Sequence, residues 1–149
     1  MMCALGRSGI RSDKREGDGA TPAGLWPIRR VLYRDDRVVL PPVSYPSSPN
    51  RPDDGWCDDP VSPLYNTAVK HPFEGSAEHL WRTDDLYDVV GVLGHNDQPP
   101  IAGRGSAIFM HIARPGYAPT EGCVALPRAD LLVLLALTPP LWGLHIVAD

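Results

Sequence analysis

The chain has 149 residues, which is enough for one domain with a modest hydrophobic core of its own. Its apolar fraction of 43%, its charged fraction of 21% and its net charge of −4 are those of an ordinary soluble protein, and the absence of a basic stripe argues against nucleic acid as a partner. The longest apolar run, residues 131–137, is too short for a membrane span. The first six residues lack the basic and apolar regions of a secretory signal peptide, so none is predicted.

The first third of the chain predicts short strands joined by long loops. Residues 2–5 are interpreted as a short strand, and the sequence leaves open whether a strand upstream of it is missing. Residues 11–24 are polar and rich in glycine, which predicts an exposed loop. Strands are predicted at residues 26–33 and 38–40, and a long irregular segment is predicted over residues 41–55.

The three cysteines cannot form a fully paired disulfide framework, because their number is odd. We expect Cys3 to be a small buried hydrophobic residue, as free cysteines usually are. Cys57 is followed by two carboxylates, Asp58 and Asp59. A thiol beside two carboxylates is a possible set of metal ligands. Since no histidine lies at ligand spacing from Cys57, a packed loop is favoured, and neither a metal nor another cofactor is predicted.

The middle of the chain contains the best candidate for a central strand. Residues 78–81 predict a short helical turn, and residues 86–93 are apolar on both faces, as expected of a strand buried on both sides. This strand ends at a polar pair, His95 and Asn96. Polar residues at a strand end are common, so a structural turn and a role in binding substrate are equally open for this pair.

The next predicted strand, residues 106–113, carries a histidine away from the core. Side chains alternate between the two faces of a strand. Ile108, Met110 and Ile112 share the face that we expect to look into the core, so His111 lies on the opposite face and can border a cleft. Taken alone, a single histidine is a weak signal of function.

A turn over residues 114–121 leads to the third cysteine and then to the one convincing helix. Pro127 is predicted as the first helical residue, with Asp130 in the first turn, where a carboxylate is favourable. The helix ends at residues 138–140, and a closing strand follows at residues 144–147. With no alternation of strands and helices, the fold is predicted to be a single mainly β domain over residues 1–149, with antiparallel pairing and one helix after Cys123.

Cys123 and His111 are candidates for a nucleophile and its base. A cysteine attacks as the thiolate, and its thiol is mostly protonated at neutral pH, so it needs a base nearby. His111 precedes Cys123 by twelve positions, and the intervening turn can bring the two together. Gly122 permits close approach of a substrate, and the amides around Cys123 can face a developing oxyanion. This spacing alone does not distinguish an acyl-transfer site from coincidence.

Three segments together resemble the L,D-transpeptidase (YkuD) family. They are Gly-Ser-Ala-Ile-Phe-Met-His at residues 105–111, Thr-Glu-Gly-Cys-Val-Ala-Leu at residues 120–126 and Gly-Asp-Gly-Ala-Thr-Pro-Ala-Gly at residues 17–24. Their order along the chain is that of the family, and the resemblance covers roughly residues 3–147. It implies an L,D-transpeptidase-like β-sandwich with a helix after the nucleophile.

The resemblance also implies a reaction. Cys123 would attack the carbonyl of the third residue of a peptidoglycan stem tetrapeptide, release D-alanine and pass the resulting thioester to an amine of a neighbouring stem. His111 would be the base, and the carbonyl of Ile112 would orient its ring. The amides of Gly122 and Cys123 would form the oxyanion hole.

Candidate substrate-binding residues are Thr120, near Cys123, and His95 and Asn96, which end the central strand near the expected place of His111. The resemblance itself implies peptidoglycan stem peptides as partners and carbapenem-type β-lactams as inhibitors. The chemistry belongs to cell wall biogenesis in the cell envelope or periplasm, although no signal peptide is visible in the chain.

The sequence departs from the commoner family pattern, Ser-His-Gly-Cys-x-Arg. Thr120 replaces the serine, Glu121 the histidine and Ala125 the arginine, which the family is thought to use to meet substrate. A carboxylate at Glu121 would oppose ionisation of the thiol unless it points away. Two alternatives stay open: an L,D-carboxypeptidase-type cysteine hydrolase, and a non-catalytic module that binds the cell wall.

Overall fold

The computed structural model describes residues 1–148. In this part of the chain there are eleven short strands, one α-helix and one 3-10 turn. The strands are β1 (Ile10–Arg11), β2 (Thr21–Pro22), β3 (Gly24–Tyr33), β4 (Ser47–Pro49), β5 (Asp54–Cys57), β6 (Ala68–Lys70), β7 (Ala77–His79), β8 (Val89–Leu93), β9 (Phe109–Ile112), β10 (Val124–Leu126) and β11 (Gly143–Ile146). The helix α1 is Arg128–Leu137, and the 3-10 turn is Pro115–Tyr117.

The main sheet has six strands in the order β10-β9-β8-β3-β11, with β4 paired to β3. Its middle strand, β8, is buried at all five positions, as its two apolar faces predict. The prediction of antiparallel pairing holds for β3, β8, β9 and β11, but it is wrong for β9 with β10 and for β3 with β4, which are parallel. Parallel neighbours require a long crossover, and residues 113–123 supply one between β9 and β10.

Two cores lie on the two faces of the main sheet. On one face α1 packs over a cluster that includes Ile108, Met110 and Ile112 of the histidine-bearing segment. On the other face the three-stranded sheet β6-β5-β7 covers a cluster that contains Trp56, Phe109 and Cys123. The expected mainly β fold of packed sheets, with a single helix after Cys123, is confirmed.

The prediction of an exposed loop at residues 11–24 holds for residues 11–13, which are exposed, but it is wrong for residues 19–22, which are buried. Lys14, Ala20 and Thr21 are buried, and β1 pairs in parallel with β2 across this segment. Its polar groups are satisfied inside the protein, since the Thr21 hydroxyl accepts a hydrogen bond from the Gly6 amide at 2.8 Å. Polar composition therefore did not indicate exposure here.

Three other local predictions are corrected by pairing between distant segments. Residues 38–40 form no strand, although Val38 is buried in the core. Residues 78–81 do not form a helical turn, because Glu78 and His79 lie in β7 and pair with β5. The long segment 41–55 is not wholly irregular, since it contains β4 and the start of β5.

The two ends of the described chain also differ in detail from the sequence prediction. Ala4 makes an isolated antiparallel bridge with Ala125 instead of belonging to a full strand. Because neighbouring side chains in an extended segment point in opposite directions, Cys3 points outward. Cys3 is exposed, so its predicted burial is wrong. The helix begins at Arg128 with Pro127 as its cap, one residue later than predicted. Among residues 1–148 no helix has the length and apolar character that crossing a membrane requires.

Candidate active site

The parallel pairing of β9 with β10 brings His111 and Cys123 to the same side of the main sheet. Ala125 lies opposite His111 in the register, and Cys123 precedes Ala125 by two residues, so its side chain projects to the same face. His111 is 6% exposed and Cys123 is 8% exposed. Both line a cavity of about 420 Å³, whose other walls include Glu78, Arg82, Tyr87, Arg114, Thr120, Glu121 and Ala125.

The thiol of Cys123 is held by backbone groups at the start of β9. Its Sγ donates to the carbonyl of Ala107 at 3.3 Å and accepts from the amide of Phe109 at 3.4 Å. Burial, and next the negative charge of Glu78, raise the pKa of the Cys123 thiol to about 12. Cys123 is therefore a neutral thiol at neutral pH, and it would have to lose its proton to act as a nucleophile.

The imidazole of His111 is oriented by the carbonyl of the next residue. Nδ1 lies 2.9 Å from the Ile112 carbonyl oxygen. That oxygen can only accept, so Nδ1 carries the hydrogen, and Nε2 of the neutral ring is an acceptor. Burial lowers the pKa of His111 below the ordinary histidine value, and the positive charge of Arg114 acts in the same direction. The ring is therefore neutral at neutral pH, which is the form that can take a proton.

Glycine is required at position 122 by its backbone and by its neighbours. Gly122 has a φ of 138°, and a Cβ there would meet the Ala20 carbonyl oxygen at 2.7 Å. The Thr120 hydroxyl accepts from the Gly122 amide at 3.1 Å and donates to the Cys123 carbonyl at 2.7 Å. The turn before Cys123 is thus closed by Thr120, and an oxyanion would compete with that hydroxyl for the Gly122 amide.

The glycine-rich loop at residues 17–24 packs against the turn that contains Gly122. The carboxylate of Asp18 accepts from the amides of Arg15 and Ala20, each at 2.9 Å, and forms an ion pair with Lys14. These bonds fix the Ala20 carbonyl that packs against Gly122. The loop therefore positions the turn before Cys123 through backbone contacts.

His95 and Asn96 lie outside this cavity and hold the loop that follows β8. Nε2 of His95 donates to the Arg104 carbonyl at 3.0 Å. The amide group of Asn96 donates to the carbonyls of Ile101 and Gly105 and accepts from the Ile101 amide. These contacts are those of a structural polar turn, and they give no support to the predicted contact with substrate.

The two unusual residues beside Cys123 have different surroundings. The Glu121 side chain is 78% exposed and forms an ion pair with Arg7 at 2.9 Å. The carboxylate whose charge opposes ionisation of the thiol is not Glu121 but Glu78. Ala125 is buried beside His111 and brings no charge to the cavity wall.

Several residues of the cavity were not found from the sequence, among them Glu78, Tyr87, Arg82 and Arg114. The Tyr87 hydroxyl donates to Oε2 of Glu78 at 2.8 Å, and Arg82 makes two hydrogen bonds to Asp84, both at 2.7 Å. Arg114 is exposed, and its charge acts on the imidazole of His111. No local sequence motif predicts these residues. They come from β7, from the segment before β8 and from the crossover after β9, and these segments meet only in the folded chain.

The described residues show neither a metal cluster nor a disulfide. Within residues 1–148 no group of three or more His, Cys, Asp or Glu side chains is arranged to hold a metal ion. Cys57 is buried as a free thiol at the end of β5. The cavity is lined by thiol, imidazole, carboxylate and guanidinium groups.

Comparison with known proteins assigns the family. No match was found among curated proteins or among solved structures. The family model described as the L,D-transpeptidase catalytic domain, YkuD, matches residues 1–140. That range contains Cys123, His111 and the loop at residues 17–24, and it spans most of the chain. The protein therefore belongs to the YkuD family of L,D-transpeptidase catalytic domains.

Proposed function

We propose that this protein is an active L,D-transpeptidase that cross-links peptidoglycan stem peptides, with Cys123 as the nucleophile. The observation that carries the proposal is the pairing of two neutral groups in one cavity. The thiol of Cys123 needs a base, and the hydrogen bond from His111 to Ile112 leaves Nε2 of the neutral imidazole as an acceptor. A cysteine nucleophile needs a base within its own site, and the shared cavity supports His111 in that role.

Acylation begins with attack of the Cys123 sulfur on the carbonyl of the third residue of a stem tetrapeptide. Because the pKa of the thiol is raised and that of the imidazole is lowered, the proton moves to Nε2 of His111 as the S–C bond forms. The amides of Gly122 and Cys123 are proposed to stabilise the oxyanion. The C–N bond to the terminal D-alanine then breaks, and His111 gives its proton to the leaving amine.

Deacylation passes the thioester to an amine of a neighbouring stem and regenerates the Cys123 thiol. The product is a cross-link that contributes to cell wall biogenesis, and this places the working protein in the cell envelope or periplasm. Arg82 and Arg114 bring positive charge to the cavity, whereas Ala125 brings none. Because Arg82 is paired with Asp84, Arg114 is proposed to meet a carboxylate of the substrate, and Thr120 is proposed to contact the substrate backbone. A carbapenem is expected to acylate the same sulfur.

Product analysis tests this proposal against the two alternatives. Purified protein is incubated with disaccharide tetrapeptides, and the muropeptides are separated and weighed. We expect cross-linked dimers, because an amine resolves the thioester. Tripeptides without dimers would assign an L,D-carboxypeptidase-type hydrolase, and unchanged substrate would assign a non-catalytic wall-binding module.

A further inference from the structure

Glu78 lies at a position where a carboxylate opposes ionisation of the proposed nucleophile, Cys123. It lines the same cavity as Cys123, and its negative charge disfavours the thiolate. For the attack on the donor peptide, a neutral residue at this position would serve the enzyme better. The carboxylate therefore calls for a function in another step of the reaction.

The surroundings of Glu78 leave its charge available to a ligand. Its Oε2 accepts the hydroxyl of Tyr87 at 2.8 Å, and the Tyr87 ring meets the His111 ring edge to face, with 5.3 Å between centroids. Among residues 1–148 no basic side chain forms a salt bridge with Glu78, because the nearby Arg82 is paired with Asp84. Glu78, Tyr87 and His111 thus line one cavity with Cys123. Burial raises the pKa of Glu78, whereas the Tyr87 hydrogen bond and the charge of Arg82 act to lower it. Within the described residues no ion pair neutralises this carboxylate.

A carboxylate in this position fits the second substrate better than the first. The acceptor of a transpeptidation is a primary amine, and such an amine is an ammonium ion at neutral pH. A carboxylate binds an ammonium through a charge-assisted hydrogen bond, and the partial burial of the site strengthens the attraction. Water, the competing acceptor, carries no charge and gains no such attraction.

We propose that Glu78 is the acceptor-binding residue, which holds the ammonium of the incoming amine beside the Cys123 thioester and so favours aminolysis over hydrolysis. This inference rests on the proposed transpeptidase function. Its carboxylate takes one proton from the ammonium and releases it to solvent. The freed nitrogen lone pair attacks the thioester carbonyl, and a C–N bond forms.

The remaining proton transfer involves His111 and closes the cycle. Nε2 takes a second proton from the attached nitrogen as the C–S bond breaks. The electron pair of that bond stays on the sulfur of Cys123, and His111 returns the proton to it as the thiol. The amide nitrogen keeps the third proton, so one amide, one thiol and one released proton balance the thioester and the ammonium.

The test separates the two half-reactions in the Glu78→Gln variant. The glutamine keeps an oxygen for the Tyr87 hydroxyl but removes the charge. We expect the thioester adduct with a tetrapeptide donor to form at least as fast as in the wild type, as read from intact protein mass. With the same tetrapeptide as donor and acceptor, the ratio of dimers to tripeptides should fall about tenfold or more, which is the range of one lost charge-assisted bond.

Two matched variants complete the test. Glu78→Asp keeps the charge and should recover part of the dimer yield, whereas Glu74→Gln makes the same chemical change at an exposed position of the preceding loop and should leave the ratio unchanged. An unchanged dimer-to-tripeptide ratio in Glu78→Gln, with wild-type dimers present, would overturn the assignment of Glu78 alone. A wild-type protein that yields only tripeptides would overturn the proposed transpeptidase and this inference with it.

Discussion

The Nδ1 atom of His111 lies 2.9 Å from the carbonyl oxygen of Ile112, the next residue in the chain. This single contact decides which nitrogen of the neutral ring can accept a proton. It keeps the hydrogen on Nδ1 and leaves Nε2 as the acceptor of a ring that lines the same cavity as Cys123. The backbone of β9 therefore sets the tautomer, and no further side chain is required to do so.

Replacing His111 with Ala should remove the base and leave the thiol in place. Because the pKa of Cys123 is raised to about 12, very little thiolate exists at neutral pH without proton transfer to the ring. We expect the rate of adduct formation with a carbapenem to fall roughly 10²–10⁴-fold, the usual contribution of a positioned base. Time-resolved intact mass measures this rate, and a loss below about threefold would contradict the role of His111 as the base.

The pH dependence of acylation should follow the imidazole and not the thiol. Burial lowers the pKa of His111, so the ring stays neutral at neutral pH. The ring becomes protonated, and can no longer accept a proton, only when the pH falls below the ordinary histidine range. The adduct rate should thus fall on the acid side and be flat from neutral to about pH 9, well below the thiol pKa. A rate that keeps rising in proportion to hydroxide would show that free thiolate attacks without the base.

Gly122→Ala should damage both folding and acylation. The φ of 138° is in a region that residues with a Cβ rarely adopt, and the added carbon would meet the Ala20 carbonyl oxygen at 2.7 Å. Strain of this kind is worth about 1–3 kcal/mol, and the overlap adds to it. Chemical denaturation measures the loss of stability, and the carbapenem adduct rate measures the displacement of Cys123.

Gly116→Ala provides the control for that comparison. Gly116 also has a positive φ, of 71°, but a Cβ there would meet no atom within 4 Å. Its substitution should cost about 1–2 kcal/mol from backbone strain alone and leave the adduct rate near that of the wild type. Equal losses of adduct rate in the two variants would show that the contact with Ala20 does not position the nucleophile.

Local periodicity was enough to predict the parts of the site that lie within one element. Alternation along β9 separates Met110 from His111, and the structure places Met110 under α1 and His111 on the opposite face. The helix after Cys123 follows from the spacing of Leu131 and Leu135, which are both fully buried. These features depend on geometry that repeats every two or every 3.6 residues, so they can be predicted from neighbouring residues.

The other features of the fold and of the site depend on pairing between distant segments, and no local sequence pattern predicts that pairing. Glu78 belongs to a strand only because β5 lies beside it, and the parallel course of β10 follows from the crossover through residues 113–123. The burial of Thr21 similarly depends on a hydrogen bond from Gly6. Long-range contacts of this kind override the local preferences of short polar segments.

Intact mass spectrometry of the Cys123→Ala variant tests the central claim most directly. Wild-type protein, Cys3→Ser and Cys57→Ser should each gain the mass of one acyl group when incubated with a tetrapeptide donor or a carbapenem. Cys123→Ala should gain none, since the only sulfur that lines the cavity with His111 in residues 1–148 is removed. A Cys123→Ala protein that still gains the acyl mass would contradict the assignment of Cys123 as the nucleophile.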